Sequence, residues 1–385
     1  MEKVMHKNKV TVAMIGQKVV PSRNGGIEKV LTTLTPLLVR DGYNVICFNR
    51  DFDDIDNEYN NEIVNNTYKG VHLKSVFTLK KKGLAAVSSS FFASIRASLN
   101  KNIDVVHFHA EGPSLWIMIP KLFGKKCIVT VHGLDWKRDK WKNGFGSKYI
   151  KFSEKILAKY ADEIIVLNQS TKKYFLSEYS RKTYLIPNGV NSPKKSEKKI
   201  FLDKYNLKPD GYILSVSRLT QEKQIHLLMK AYMQVKTKKK LVVVGDSSDT
   251  DEYKAKLYKI AKTNPNIIFT GFLSGEALNE LYTYAYSYVI PSKIEGMSMS
   301  LLEAMAYGNC VIGSSIEEIK SVIKDNGLIF KNNDLEDLKN KLQFVCDNPL
   351  IVKKYSDRSS NYVLSKFNWN DIVKETEKLY GLGGH

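Results

Sequence analysis

The sequence predicts an α/β protein of two doubly wound, Rossmann-like domains facing each other across a cleft. Three observations lead there. Short β-branched runs alternate with helical patterns along the whole chain. Those runs are apolar at successive positions, not at every second one. The rhythm pauses once, near residue 190, and then restarts. A strand without a polar face is covered on both sides, as parallel strands are when helices sandwich them. With 385 residues, 43% of them apolar, the chain can supply two or three domains with separate cores at roughly 150 residues each.

In the first half, Val10–Ile15, Asn44–Phe48, Asp104–Phe108, Cys127–Val131 and Glu163–Leu167 read as buried strands. The pause is the turn cluster Pro187-Asn188-Gly189-Val190, followed by a polar, lysine-rich stretch from Asn191 to Lys199. The second half repeats the pattern with Tyr212–Val216, Leu241–Val244, Ile267–Thr270, Ser287–Ile290, Val311–Gly313 and Leu328–Phe330. This sets an N-terminal domain at 1–190 and a C-terminal domain at 191–365. An amphipathic helix within 366–385, from Trp369 to Tyr380, is available to pack back on the first. In such sheets ligands sit beyond the carboxyl ends of the strands, so residues just after strands carry most weight.

Composition narrows the partners. Fifty-nine Lys and Arg against 40 Asp and Glu leave a net charge of +19, which attracts polyanions. The clusters Lys80-Lys81-Lys82, Lys194-Lys195, Lys198-Lys199 and Lys236 to Lys240 carry no recognition-helix or stacking-platform pattern, so nucleic acid is not the expected partner. An anionic membrane surface is. No run approaches the ~18 apolar residues of a membrane span, and no apolar run precedes the first strand. The expected location is therefore the cytoplasm, at the inner face of the plasma membrane. Cys47, Cys127, Cys310 and Cys346 lie far apart without C-x-x-C spacing, which speaks against a zinc site or a disulfide framework.

Four segments can carry chemistry. After the first strand, Gly25-Gly26 opens a helix; such a pair serves either a turn needing positive φ or the approach of backbone N–H groups to a phosphate. Neither the Walker pattern nor G-x-G-x-x-G is present, so ATPase and dinucleotide readings lose their main support. His132 ends another strand and precedes Asp135, Lys137, Arg138 and Lys140, interleaved with Trp136 and Trp141. Cations suit phosphates and aromatic faces suit sugar rings, while a lone histidine or a solvated charge run is the plainer alternative. His107, His109 and Glu111 lack a second ligand group at helical spacing, so no metal site is expected. In the second half, Arg218 ends a strand and Lys223 enters a helix, a pair able to neutralise a diphosphate leaving group. The strongest element runs from Pro291 to Gly308: a strand end, a loop with Glu295 and Gly296, and a helix starting near Ser298 that carries Glu303. That arrangement sets one carboxylate to face a sugar, another to accept from ribose hydroxyls, and helix-start N–H groups to meet phosphates.

Glu295 to Glu303 resembles the E-x7-E motif of family-four retaining glycosyltransferases with the two-Rossmann (GT-B) fold. The Gly25-Gly26 loop, Ser217-Arg218 with Lys223, and Ile186 to Val190 resemble that family's other landmarks, in the same order across essentially the whole chain. Pro21 to Gly26, Asp104 to Pro113 and His132 to Trp141 resemble bacterial capsule and exopolysaccharide transferases in particular. The resemblance implies transfer of a hexose-type sugar, with retention, from a nucleotide-diphosphate sugar to a glycan or polyprenyl-diphosphate-linked acceptor, without metal or cofactor. It implies Gly25 and Gly26 at the donor phosphates, Arg218 and Lys223 at the diphosphate, Glu295 at the donor sugar and Glu303 at the ribose. Gly296, Met297, Met299 and Ser300 would complete the phosphate cradle, Gly271, Phe272 and Leu273 would flank the base, and His132 would stand near donor sugar and acceptor. Ser298 replaces a proline frequent in the nearest relatives, and Ser314 to Glu318 lacks another, which leaves the donor sugar open. Two other readings compete: a sugar-nucleotide epimerase of the same fold, and a basic membrane- or nucleic-acid-binding protein.

Overall fold

Fifteen strands form two sheets in a computed structural model that describes residues 9–53, 55–81, 83–137, 145–247 and 251–381. The first sheet comprises β1 (Thr11–Ile15), β2 (Asn44–Arg50), β3 (Ile63–Val64), β4 (Thr67–Tyr68), β5 (Val71–Val76), β6 (Val105–His109), β7 (Lys126–Val131), β8 (Glu163–Val166) and β9 (Tyr184–Leu185). The second comprises β10 (Tyr212–Val216), β11 (Lys240–Val244), β12 (Ile267–Gly271), β13 (Ser287–Ile290), β14 (Cys310–Ser314) and β15 (Leu328–Phe330). Their orders are β3-β4-β5-β2-β1-β6-β7-β8-β9 and β12-β11-β10-β13-β14-β15. All pairings are parallel except β3–β4 and β4–β5. In both sheets the order reverses beside the first strand, between β1 and β6 and between β10 and β13. These are the switch points where doubly wound sheets bind ligands.

The burial pattern explains the parallel pairing. β10 sends Tyr212 and Leu214 into one apolar cluster and Ile213 into another, while β13 divides Tyr288 and Ile290 from Val289 in the same way. Successive residues thus point to opposite faces and both faces are dry, as continuous apolar runs require. In the first sheet Ala13, Ile15, Phe48, Val106, Phe108 and Val129 share one buried cluster.

Four strands escape the apolar-run criterion. β3 and β4 are two residues long and joined by Asn65-Asn66, both with positive φ; β4 meets β5 through Lys69-Gly70, also both with positive φ. These are two-residue hairpin turns of the kind asparagine and glycine allow. β5 has polar, exposed members, and both residues of β9 are exposed at the sheet edge.

The chain divides into two units, one of residues 1–188 with 369–385 and the other of 189–368. The helix Trp369–Tyr380 belongs to the first, against the helix Gly26–Arg40, and buries Ile372, Val373, Leu379 and Tyr380. Tyr380 stacks edge-on with Tyr43 at 5.6 Å, and its hydroxyl lies 2.8 Å from Nδ1 of buried His107. Tyr380→Phe therefore strands a buried imidazole nitrogen. The substitution is expected to cost about 1–3 kcal/mol in a chemical-denaturation measurement, with the far-UV spectrum unchanged.

Candidate active site

In the second unit, the chain leaving β10 and the chain leaving β13 are tied together. Lys293 N–H donates to the Glu222 carbonyl at 2.9 Å, joining the turn Gln221–Lys223 to the loop after β13. Between the two segments Lys223 Nζ meets Glu295 Oε1 at 2.5 Å, with side-chain exposures of 15% and 8%. Two opposite charges at this burial hold each other in place, and removing one leaves the other poorly solvated. Arg218 follows β10 and is exposed. The strand end is fixed by Ser217 N–H to Val244 O and Leu219 N–H to Asp246 O, each 3.0 Å. The neighbouring chain must pass very close for this: a Cβ on Gly245, with φ +137°, would stand 1.8 Å from the Ser217 carbonyl oxygen. Gly245 also donates to Gly271 O at 2.9 Å, which links the end of β12 to the same edge. There Gly271 has φ +76°, Phe272 is 47% exposed and Leu273 is half-buried.

Ser298 caps the helix Met299–Ala306, its hydroxyl accepting from Leu301 N–H at 3.3 Å. A serine there does the work that Ser, Thr, Asp and Asn do at helix starts. Ser298 Oγ lies 3.1 Å from Ser300 Oγ, which accepts from the Tyr288 hydroxyl at 2.8 Å. The buried Tyr282 hydroxyl reaches Ser300 O at 3.3 Å and Glu303 Oε2 at 3.5 Å. Burial, then the nearby Glu303 charge, pushes the Tyr282 phenol well up, so it serves as a donor. Met297 and Met299 are half-buried against the core, and Gly296 is buried. The structure thus places Lys223 against Glu295 and gathers Gly296, Met297, Ser298, Met299, Ser300 and Glu303 on the capped helix start. Its N–H groups and dipole suit an anion.

In the first unit the loop after β1 leads to Gly25 and the helix Gly26–Arg40. Gly25 has φ +151°, and a Cβ there would meet Glu28 Oε2 at 2.0 Å, whereas at Gly26 nothing lies within 4 Å. Glu28 is buried and accepts from Lys18 N–H at 2.9 Å. Gly25 is thus a conformational glycine, and Gly26 leaves open backbone at the helix start.

His132 follows β7 and is half-buried; its Nε2 lies 3.1 Å from Nδ1 of the buried His109. Asp135 N–H donates to Glu111 Oε2 at 2.9 Å. Lys137 is exposed with Nζ 5.5 Å from the Trp136 ring centre, so the tryptophan sets the position of the cation. Trp136 Nε1–H in turn donates to buried Glu154 at 3.0 Å, which also accepts from Tyr174 at 2.7 Å and Lys151 at 2.8 Å. Arg138 and Lys140 lie outside the described residues.

Among the described residues no group of three His, Cys, Asp or Glu side chains could hold a metal ion. His107 spends its nitrogens on Tyr380 and on Thr130, at 2.8 Å each. Cys47, Cys127 and Cys310 are buried, and burial pushes each thiol up to about 12. Sequence reasoning misses four residues that shape these edges: Gly245, Tyr282 and Tyr288 in the second unit and Glu154 in the first. A tyrosine inside an aliphatic run is a usable signal, since its hydroxyl demands a partner. The role of Gly245 depends on a neighbouring strand and has no local signature.

Two doubly wound units of this kind, each with its switch-point edge, are the components of the GT-B glycosyltransferase fold. Sucrose-phosphate synthase from Thermosynechococcus elongatus superposes with a TM-score of 0.81 over 97% of this chain and 98% of that one, at 21% identity. The family model Glycosyltransferase Family 4 matches residues 24–193 and Glycosyl transferases group 1 matches residues 197–363, and the chain belongs to this glycosyltransferase family. An uncharacterized glycosyltransferase of Methanocaldococcus jannaschii is 29% identical over 273 residues, 66% of this chain and 68% of that protein. The UDP-Gal:alpha-D-GlcNAc-diphosphoundecaprenol alpha-1,3-galactosyltransferase of Escherichia coli is 25% identical over 296 residues, 72% of this chain and 74% of that one.

Glu111 offers a pH test of the first unit. It is fully buried, and burial together with neighbouring Glu154 pushes its carboxyl well above the ordinary range. The unfolded chain ionises this group near pH ~4.3, so stability falls as pH rises from there toward the raised folded value. Glu111→Gln removes that loss. The variant's stability relative to the parent, read by chemical denaturation, is expected to climb as pH rises above about 5, by up to about 1.4 kcal/mol per pH unit.

Proposed function

We propose that this glycosyltransferase moves a hexose-type sugar, with retention of anomeric configuration and without a metal, from a nucleotide-diphosphate sugar to a lipid-linked glycan acceptor. The observation that carries this reading is the Lys223–Glu295 pair at 2.5 Å beside the capped helix start of Met299–Ala306, at the switch point of the second sheet. A diphosphate seated on those N–H groups competes with Glu295 for Lys223. Binding then frees the carboxylate to accept from donor-sugar hydroxyls, while Arg218 and Lys223 take up the charge that develops on the leaving phosphate. In the front-face route the acceptor oxygen bonds to the anomeric carbon as the bond to the phosphate oxygen breaks, and the acceptor proton passes to that oxygen. Two fixed cations do the electrostatic work a divalent ion would otherwise do. Glu303, within reach of Tyr282, is the ribose contact; Gly271, Phe272 and Leu273 flank the base. By the family resemblance, His132 would serve the donor sugar, Gly25 and Gly26 its phosphates, and Asp135, Lys137, Arg138 and Lys140 the acceptor.

The acceptor class takes support from the Escherichia coli relative named for a diphosphoundecaprenol-linked substrate. A lipid-linked acceptor calls for a membrane surface. No helix among the described residues is long and apolar enough to cross one. The helix Phe145–Tyr160 instead exposes Lys148, Phe152, Lys155 and Lys159 at helical spacing, with Phe152 56% exposed. A basic stripe with an aromatic suits peripheral docking on anionic lipid.

Thermal-shift titration with UDP, GDP and dTDP and their sugars, with and without EDTA, tests the donor site. One nucleotide family should stabilise the protein, and EDTA should leave the shift unchanged; no shift with any of them would overturn the reading. Glu295→Gln should lower transfer at least about 100-fold with diphosphate binding kept, whereas Lys223→Ala should weaken diphosphate binding. NMR of the product's anomeric proton reports retention, and conversion of a nucleotide sugar without acceptor would point to an epimerase. Flotation with anionic vesicles at low salt should carry the protein, and Lys148→Glu with Lys155→Glu should release it.

A further inference from the structure

We propose that His109 is a positioning residue that holds His132 as the neutral tautomer protonated at Nδ1, so that the ring meets its ligand as an uncharged hydrogen-bond donor. This rests on the reading of His132 as a residue beside the donor sugar. His109 Nδ1 and His132 Nε2 are 3.1 Å apart, and one proton lies between them. If His132 donates it, neutral His109 must carry its own proton on Nε2. That atom is buried and has no partner among the described residues. If His109 donates, Nε2 is a bare lone pair. An unmet buried N–H is the costlier of the two, so His109 Nδ1–H is the donor and His132 Nε2 the acceptor.

Charge strengthens the assignment. The His107 ring stacks on His109 with centres 4.3 Å apart, and the His132 ring centre is 5.4 Å from that of His109. Burial first, then the neighbouring histidines, holds His109 well below its ordinary range, and His107 is pushed down to about 3 by burial and by His132. The nearby carboxyl on the same segment, Glu111, is held in its neutral form, and the hydroxyls against His107 are those of Tyr380 and Thr130. Protonating His132 at Nε2 would force the His109 proton onto its buried, unmet nitrogen, which disfavours the imidazolium.

The backbone pins this donor. A Cβ on Gly16 would stand 2.2 Å from the His109 carbonyl oxygen, so β1 presses directly on that peptide. The next residue, Ala110, has φ +82°, and is held by its N–H to Thr130 O at 2.9 Å and by Ser114 Oγ on its carbonyl at 2.8 Å. A non-glycine residue in this region costs energy, and such outliers gather where side-chain direction matters.

Two-bond ¹H–¹⁵N correlation spectra of the full chain with ¹⁵N-labelled histidine read the tautomer directly, His132 being assigned by its loss in His132→Asn. At neutral pH the parent should show Nδ1 protonated and Nε2 as a bare acceptor. His109→Phe keeps a ring but removes the donor, and should move the His132 proton to Nε2 and raise its titration point. His109→Asn, whose amide N–H takes the place of Nδ1–H, should restore the parent pattern. In transfer assays His109→Phe should lower kcat about 10-fold with KM for the nucleotide sugar unchanged, and His109→Asn should recover it. A parent spectrum with the proton on Nε2, or an imidazolium at neutral pH, would overturn the proposal whether or not the His109 variants fold. So would a folded His109→Phe with the His132 signals unmoved. Because the spectra use no substrate, failure of the donor-sugar reading shows separately, as unimpaired transfer by His132→Asn.

Discussion

Both sheets depend on a missing Cβ at the switch-point edge. Parallel strands end together, and the chain leaving one must clear the carbonyls of its neighbour before it can turn into a loop. Gly16 does this against His109 O in the first unit and Gly245 against Ser217 O in the second, with Cβ positions 2.2 and 1.8 Å from those oxygens. Positive φ at both makes glycine the natural occupant, since side chains rarely adopt it. The carbonyls pressed upon belong to His109, which touches His132, and to Ser217, which precedes Arg218. Close strand passage and placement of chemistry are therefore one constraint, met twice.

The two units then manage buried charge in different ways. In the second, Lys223 and Glu295 meet as a largely buried ion pair, each satisfying the other. In the first, burial and then the neighbouring histidines hold His107 and His109 neutral, burial first of all raises the Glu111 carboxyl, and charge concentrates on Glu154 and Lys151. Glu154 tolerates it because Trp136, Tyr174, Tyr179 and Lys151 all donate to it. That network holds Trp136, and through its ring Lys137, at the end of β7.

What the sequence made legible follows from how local each signal is. Strands buried on both faces announce themselves as apolar runs, and β1, β6, β7, β10, β11 and β13 were readable for that reason. β3, β4 and β9 are two residues each, too short for any period, and β5 is an edge-ward strand with polar members. The cap at Ser298 and the carboxylates Glu295 and Glu303 lie within one continuous strand–loop–helix segment, so their mutual placement was legible. The contact of Lys223 with Glu295 joins positions 72 apart in sequence, and that of His109 with His132 joins positions 23 apart. Pairings of that kind are set by strand order, which a single sequence does not display. From sequence His109 reads only as a candidate metal ligand, whereas its partner in the fold is another histidine across the β6–β7 pairing.

The first unit is interrupted: its final helix, Trp369–Tyr380, comes after the entire second unit in the chain. A ribosome delivers residues in order, so while the second unit is being made, the first exists without the helix that covers Gly26–Arg40 and partners His107. The C-terminal unit can close upon itself before that helix emerges, and the N-terminal unit is completed last. Apolar surface around Tyr43 and the face of Gly26–Arg40 stays open for the time needed to synthesise the second unit, 189–368, which at roughly 5–20 residues per second is about 9 to 36 seconds. The part of the protein that begins first is thus the part that most needs shelter during synthesis.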